Sequence, residues 1–217
     1  MKRKFWIRTT SALLLSLLSY SASGALKSAH AAESTGSQAT LGKTAPAFTL
    51  NDSNGQKRSL QDANGKIVVL EWINFDCPFV KKQYNGGNMQ KLQKTYTGKG
   101  VVWYSICSSA EGRQGNYPAA KINELLKQNN AGPTAYLFDP DGAVGRSYGA
   151  RSTPHMFVIN QKGTLVYAGA IDDNPSADIS DKPGTNYVQK ALDETLANKA
   201  VSTASSPAYG CSVKYAK

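Results

Sequence analysis

The residues of this chain best suited to redox chemistry are its cysteines, of which Cys77 has the most suggestive surroundings. Cys77 follows Asp76 and precedes Pro78, where a buried apolar run gives way to a helical pattern. Proline is favoured in the first turn of a helix, so the Cys77 sulfur should lie near free backbone N–H groups and the positive end of the helix dipole. Lys81 and Lys82, one turn later, also favour a thiolate. The pattern predicts a reactive thiol, and the alternative is a buried, inert one.

The other two cysteines lie in different settings. Cys107 ends a predicted strand, and parallel neighbouring strands end at the same edge of a sheet, so Cys107 is either a neighbour of Cys77 or a buried structural cysteine. Cys211 lies in the tail beyond the last helix, and the small polar residues before Pro207 predict a mobile segment that can reach Cys77. An odd number of cysteines in an oxidising compartment leaves one thiol free, bound to a ligand, or paired outside the chain.

Apolar periodicity predicts the elements that position these residues. Strand and helix patterns alternate, which is typical of a parallel α/β sheet, and a hairpin follows that joins the sheet antiparallel. The predicted strands are Ala47–Leu50, Ile67–Ile73, Val101–Cys107, Ala135–Phe138, and the hairpin strands Met156–Ile159 and Leu165–Ala170. The predicted helices are Phe79–Tyr96, Tyr117–Asn129 and Asn186–Asn198.

The segment from about Lys43 to Asn198 resembles the redoxin branch of the thioredoxin superfamily. Four stretches are similar to its peroxiredoxin-like secreted members, the alkyl hydroperoxide reductase/thiol-specific antioxidant family: NFDCPFV, STPHMFVI, VYAGAIDD and YGCSVKY. The resemblance implies a thioredoxin-like α/β fold, with a central mixed sheet flanked by helices. It also implies thiol-dependent chemistry without a bound cofactor.

The resemblance assigns roles around the first of these stretches. Cys77 matches the first cysteine of the thioredoxin Cys-X-X-Cys motif, and Val80 stands in place of the second. Asn74 stands where peroxiredoxins carry a threonine or serine. Glu71 matches the acid that thioredoxins bury before the first cysteine, so it is a candidate to move protons during exchange. The alternative is a structural glutamate paired with a lysine.

The later stretches supply the remaining candidates. Thr153 and Pro154 match the cis-proline loop that lies across from the catalytic cysteine in this fold, where backbone groups can bind an extended thiol substrate. Arg151 is a candidate to support a thiolate or an oxidised sulfur, or is an ordinary solvated arginine. His155 follows the proline, and a structural role is favoured for it over a catalytic one. Cys211 resembles the resolving cysteine that some two-cysteine peroxiredoxins carry near the C-terminus.

The N-terminal residues have the features of a secretory signal peptide. Basic residues precede the apolar run Ala12–Leu18, and Ala29-His30-Ala31 is a small-X-small cleavage pattern. The apolar run is too short to span a bilayer, and its clustering disfavours an amphipathic anchor. The predicted organisation is a signal peptide over residues 1–31, a flexible lead-in over 32–44, the redoxin domain over 45–199 and a tail over 200–217.

Composition and charge exclude several classes of function. Hydrophobic residues make up 41% of the chain and charged residues 18%, which is typical of a globular protein. The predicted leader holds five of the 25 basic residues and no acidic residue, and it accounts for half of the net charge of +10. The rest is spread along the chain without a basic block, so nucleic acid is not an expected partner. Cleavage would leave His155 as the single histidine, which excludes histidine-rich metal sites.

These features together predict a periplasmic thiol-dependent oxidoreductase. Cys77 would attack a disulfide or a small hydroperoxide, Glu71 or water would move the proton, and Cys211 would resolve the oxidised sulfur. Expected partners are thiol or disulfide proteins or a hydroperoxide, with no membrane contact after cleavage. The alternative is a non-enzymatic Cu(I) carrier that uses Cys77, Cys211, Cys107 and His155 as soft ligands.

The leader generates a first testable prediction. N-terminal sequencing of the protein recovered after expression in its own host should begin at or near Ala32, because the signal peptidase would cut after Ala31. A protein that keeps Met1 and stays in the cytosol contradicts the assignment of the compartment.

Overall fold

The computed structural model describes residues 38–178, 180 and 184–217. The predicted signal peptide and residues 32–37 of the predicted lead-in lie outside this part of the chain. No helix within the described ranges is long and apolar enough to cross a membrane.

Strands and helices alternate along the described chain. The strands are β1 (Thr49–Asp52), β2 (Lys57–Ser59), β3 (Val68–Trp72), β4 (Val102–Cys107), β5 (Ala135–Phe138), β6 (Ser152–Thr153), β7 (His155–Ile159), β8 (Leu165–Gly169) and β9 (Cys211–Ser212). The helices are α1 (Pro78–Asn85), α2 (Asn88–Thr97), α3 (Ala119–Gln128), α4 (Ala143–Ser147) and α5 (Tyr187–Leu196), with a short 3-10 helix at Leu60–Ala63.

The central sheet is mixed and has the strand order β2-β1-β5-β4-β3-β7-β8. Strands β3, β4 and β5 run parallel, whereas β7 pairs antiparallel with β3, and β8 pairs antiparallel with β7. The predicted parallel core and antiparallel hairpin are therefore confirmed, and together they form the mixed thioredoxin-like sheet.

Both faces of the central strand β3 are covered. Val68, Leu70 and Trp72 pack into one hydrophobic cluster, and Val69 lies in the cluster on the opposite face. Alternate side chains of a strand point to opposite faces, so a strand that is buried at every position needs a layer on each side. This burial fixes the end of β3, and with it the start of the loop that leads to Cys77.

The single helix predicted from Phe79 to Tyr96 is wrong. The structure divides this segment into α1 and α2 at Gly86 and Gly87. Gly87 has a φ of 73°, in the left-handed region that glycine adopts without a steric penalty. The apolar spacing continues across the break, and for this reason the periodicity alone suggested one helix.

The C-terminal tail is packed against the domain, so the expectation of a mobile tail is corrected. Strand β9 pairs antiparallel with β6, with Cys211 opposite Thr153 and Ser212 opposite Ser152. Beyond this pair, the Val213 N–H donates to the Arg151 carbonyl at 3.1 Å. A two-residue strand carries no periodic signal, so neither β6 nor β9 was predicted. The three-residue strand β2 and the five-residue helix α4 were also missed, because they too are short for a periodic pattern.

Candidate active site

Cys77 lies at the start of α1, as the sequence predicts. Its backbone occupies the N-cap position, with Pro78 as the first helical residue, and its carbonyl accepts the Lys81 N–H at 2.9 Å. The preceding loop turns tightly, because the Cys77 N–H donates to the Asn74 carbonyl at 3.0 Å. The Asn74 side chain accepts the Asp76 N–H at 2.9 Å, so Asn74 shapes the loop before the sulfur.

The Cys77 sulfur is enclosed between its own helix and β6. Its relative exposure is 0%, and its Sγ donates to the Thr153 carbonyl oxygen at 3.0 Å. The Thr153–Pro154 peptide bond is cis, as the resemblance implied. Thr153 therefore lies directly across from Cys77.

Cys211, in the C-terminal tail, lies next to Cys77 and Thr153. It pairs with Thr153 in β9, and the Thr153 carbonyl oxygen is the atom that the Cys77 sulfur contacts, so the two cysteines lie side by side. Both cysteines are free thiols here, with Cys77 buried and Cys211 half-buried. Residues 134 positions apart in the chain thus form a thiol pair without a Cys-X-X-Cys motif.

The tail can approach this closely because of Gly210. Gly210 has a φ of 126°, and a Cβ at this position would overlap the Thr153 carbonyl oxygen. Any other residue would push β9 away from β6 or strain the backbone. A glycine before Cys211 is therefore required for the close pairing of β9 with β6.

The two thiols have opposite pKa shifts. Burial raises the pKa of Cys77, but hydrogen bonds to its sulfur, above all from the Cys211 thiol, outweigh burial and bring the pKa below its ordinary value. Burial raises the pKa of Cys211 to about 11, with its hydrogen bond to Cys77 as the next cause. In this arrangement the Cys77 thiol is the more acidic of the two.

The domain that carries Cys77 matches a known protein family. The model of the AhpC/TSA family matches residues 41–168, a range that contains Cys77, Thr153 and Pro154. The chain belongs to the AhpC/TSA family. It is a redoxin of the thioredoxin superfamily, and Cys211 lies in a tail beyond the matched range.

Relatives support thiol-dependent redox function for this AhpC/TSA chain. Thioredoxin-like protein YneN of Bacillus subtilis (strain 168) is 31% identical over 130 residues, which cover 57% of this chain and 68% of YneN. Thiol-disulfide oxidoreductase ResA of the same organism is 29% identical over 168 residues, which cover 76% of this chain and 84% of ResA. A solved structure of a hypothetical protein from Sinorhizobium meliloti 1021 matches with a TM-score of 0.73 and 27% identity, over 82% of this chain and 95% of that one.

Glu71 is the buried acid of this AhpC/TSA domain, and it lies within a network of neutral donors. Its carboxylate accepts hydrogen bonds from Tyr84, Gln93, Trp103 and Ser105. Burial raises the pKa of Glu71, and these four hydrogen bonds oppose that rise. The partners join β3, β4, α1 and α2, so the network ties together the elements that position Cys77. None of the four donors is Cys77.

The other candidates fall outside the Cys77–Cys211 contact. The Cys107 thiol is buried and donates to the Gly115 carbonyl at 3.5 Å, which supports its structural interpretation. Arg151 is exposed and contacts the tail through its backbone carbonyl. The His155 Nδ1 accepts the Arg151 N–H at 3.2 Å, and burial, together with Arg151, lowers the pKa of His155 to about 4. The structure thus does not bring the four predicted copper ligands together, and the described residues contain no cluster of three side chains suited to a metal.

Sequence reasoning missed the residues that anchor the tail. Tyr209 bonds to Asp172, and Tyr215 donates to the Ala150 carbonyl at 2.8 Å. Asp172 and the two tyrosines lie in the stretches VYAGAIDD and YGCSVKY, which carry part of the family resemblance. That resemblance was the available signal, since contacts between residues so distant in sequence have no local pattern.

The Glu71 network generates a second prediction. Glu71→Gln should lower the free energy of unfolding by about 1–3 kcal/mol, because an amide nitrogen would face groups that now donate to a carboxylate. The thiolate titration of Cys77, followed by absorbance at 240 nm, should keep its midpoint. The exposed Glu111→Gln is the matched control and should leave both quantities unchanged. Unchanged stability with a displaced Cys77 titration would instead support Glu71 as a proton shuttle.

Proposed function

We propose that this protein is an exported thiol–disulfide oxidoreductase in which Cys77 and Cys211 cycle between a dithiol and a disulfide. The observation that carries the proposal is that both thiols meet at Thr153: the Cys77 Sγ lies 3.0 Å from its carbonyl oxygen, and the pairing of β9 with β6 places Cys211 opposite it. The family and the relatives support the class of chemistry. The basic and apolar leader supports export to the periplasm.

In the proposed cycle the oxidised protein accepts two electrons from thiols of a partner protein. A partner thiolate attacks the Cys211 sulfur, because Cys211 is the half-buried member of the pair and Cys77 is fully covered. The Cys77–Cys211 bond breaks, its electron pair stays on Cys77, and a mixed disulfide joins Cys211 to the partner. A second partner thiolate attacks the partner's sulfur, which releases a partner disulfide, and Cys211 takes up a proton.

The pKa difference between the thiols gives this order a physical basis. A sulfur with a lower pKa is the better leaving group in thiol–disulfide exchange, and the pKa of Cys77 is lowered while that of Cys211 is raised. In the reverse direction the Cys77 thiolate attacks a mixed disulfide on Cys211 and expels the partner thiol. Cys77 is thus the leaving group in the first direction and the nucleophile in the reverse direction, and Cys211 is the point of exchange with partners.

Thr153 and Pro154 have a defined place in this proposal. The Thr153 backbone pairs with the protein's own tail, in the position that the resemblance assigned to an extended substrate. An external polypeptide would reach this strand only after displacing β9. The docked tail therefore favours exchange at Cys211, and the thiols of a partner protein are a better-supported substrate than a hydroperoxide, since Arg151 is exposed.

Cysteine variants test the proposed pair. The processed protein is treated with glutathione disulfide and mapped by peptide mass spectrometry, and turnover is measured as oxidation of a dithiol peptide by glutathione disulfide. We expect a Cys77–Cys211 disulfide, and a fall in turnover of about 100-fold in both Cys77→Ser and Cys211→Ser.

Cys107→Ser is the matched control, because Cys107 is a buried thiol outside the pair. It should keep the turnover of the unmodified protein. A disulfide that includes Cys107, or full turnover by Cys211→Ser, contradicts the proposed function.

A further inference from the structure

Asp172 is a buried acid that the proposed cycle does not use. It lies just after β8 and is 6% exposed. Its carboxylate accepts hydrogen bonds from the Tyr209 hydroxyl, from the Gln83 side chain at 2.9 Å and from the Asn174 N–H at 3.1 Å. Within the described residues no lysine or arginine forms an ion pair with it. Burial of a carboxylate among neutral donors costs desolvation free energy. The elements that its hydrogen bonds connect are therefore of interest.

The two side-chain donors belong to the two elements that carry the thiols. Gln83 lies on α1, the helix that begins immediately after Cys77, and Tyr209 lies two residues before Cys211. The Gln83 Nε2 also contacts the Tyr209 hydroxyl at 3.3 Å, which closes a triangle of hydrogen bonds. Asp172 thus connects the helix of Cys77 to the strand of Cys211.

The aromatic ring of Tyr209 makes a separate contact with the same helix. Its centroid lies 5.9 Å from that of Phe79, which is also on α1. This contact depends on the ring, whereas the contacts with Asp172 and Gln83 depend on the hydroxyl. The two contributions can therefore be separated by removal of the hydroxyl alone.

The tail has a second anchor on the other side of Cys211, and it contacts different elements. The Tyr215 ring packs against Gly142 and Gly145, and the Arg146 guanidinium lies 4.4 Å from its centroid. These residues belong to α4 or cap it, whereas Gln83 belongs to α1. The hydroxyl of Tyr209 is thus a polar link between the tail and the helix of Cys77.

We propose that Asp172 and Gln83 are positioning residues for exchange between Cys77 and Cys211, and that they act through the Tyr209 hydroxyl. The proposal rests on the proposed function. With glutathione disulfide as oxidant, Cys211 loses its proton to solvent, and its sulfur attacks glutathione disulfide, displaces one glutathione thiolate and forms a mixed disulfide. The Cys77 thiolate then attacks the Cys211 sulfur and releases the second glutathione thiolate. Correct placement of the tail speeds this second, ring-closing step.

Tyr209→Phe tests this role, because it keeps the ring and removes the hydroxyl. Reduced protein is mixed with glutathione disulfide, quenched with acid at successive times, and analysed by intact mass. Ring closure should slow by about tenfold, which is about 1.4 kcal/mol, and the glutathione adduct should accumulate. The unmodified protein should pass to its internal disulfide with little adduct.

Tyr96→Phe is the matched control. Tyr96 donates to the Asp193 carboxylate at 2.8 Å, so its variant also removes a tyrosine–aspartate hydrogen bond, between α2 and α5. It should close the ring at the rate of the unmodified protein. If Tyr209→Phe does not fold, Gln83→Ala replaces it, because it removes the helix side of the triangle and leaves the tail sequence intact.

The outcomes separate the two proposals. Adduct in Tyr209→Phe and none in Tyr96→Phe supports the positioning role. Rapid ring closure in Tyr209→Phe, or equal slowing in both variants, overturns it while the proposed function stands. Absence of a Cys77–Cys211 disulfide in the unmodified protein overturns the proposed function and the positioning role together.

Discussion

The antiparallel pairing of Cys211 with Thr153 is the constraint on which the site depends. Thr153 lies across from Cys77, so a tail that pairs with Thr153 must place its cysteine on the Cys77 sulfur. The proximity of the two thiols, their opposite pKa shifts and the burial of Cys77 all follow from that pairing. Without it, Cys77 would lie at the start of its helix with no second thiol beside it.

This arrangement gives a redoxin its second thiol from tertiary structure instead of local sequence. A Cys-X-X-Cys motif holds its cysteines together through one turn of helix, and here Val80 occupies that second place. The tail supplies the missing thiol, and anchors on both sides of Cys211 hold it in place. Because the second thiol is borne by a separate segment, its distance from Cys77 can be adjusted by contacts such as the Tyr209 hydroxyl, independently of α1.

Local patterns predicted the sheet and the placement of Cys77, because burial on both faces of β3 and a proline at a helix start have short-range signatures. The family resemblance added Thr153, Pro154 and the tail cysteine. The break at Gly87 was missed because apolar spacing continues through it. The packing of the tail against the domain was not predicted, because its small polar residues suggest mobility. The contacts that anchor it join residues distant in sequence, which leave no local pattern. The role of Asp172 was not predicted, because its hydrogen-bond donors Gln83 and Tyr209 are distant in sequence.

The equilibrium constant between the dithiol and the Cys77–Cys211 disulfide, measured in a glutathione redox buffer, tests the central claim most directly. Gly210→Ala would force β9 from Thr153, so the constant should shift toward the dithiol by on the order of tenfold, as the effective concentration of Cys211 falls. Gly65→Ala, at another glycine with positive φ and remote from the tail, should leave the constant unchanged. An unchanged constant in Gly210→Ala would show that strand pairing does not bring the two thiols together.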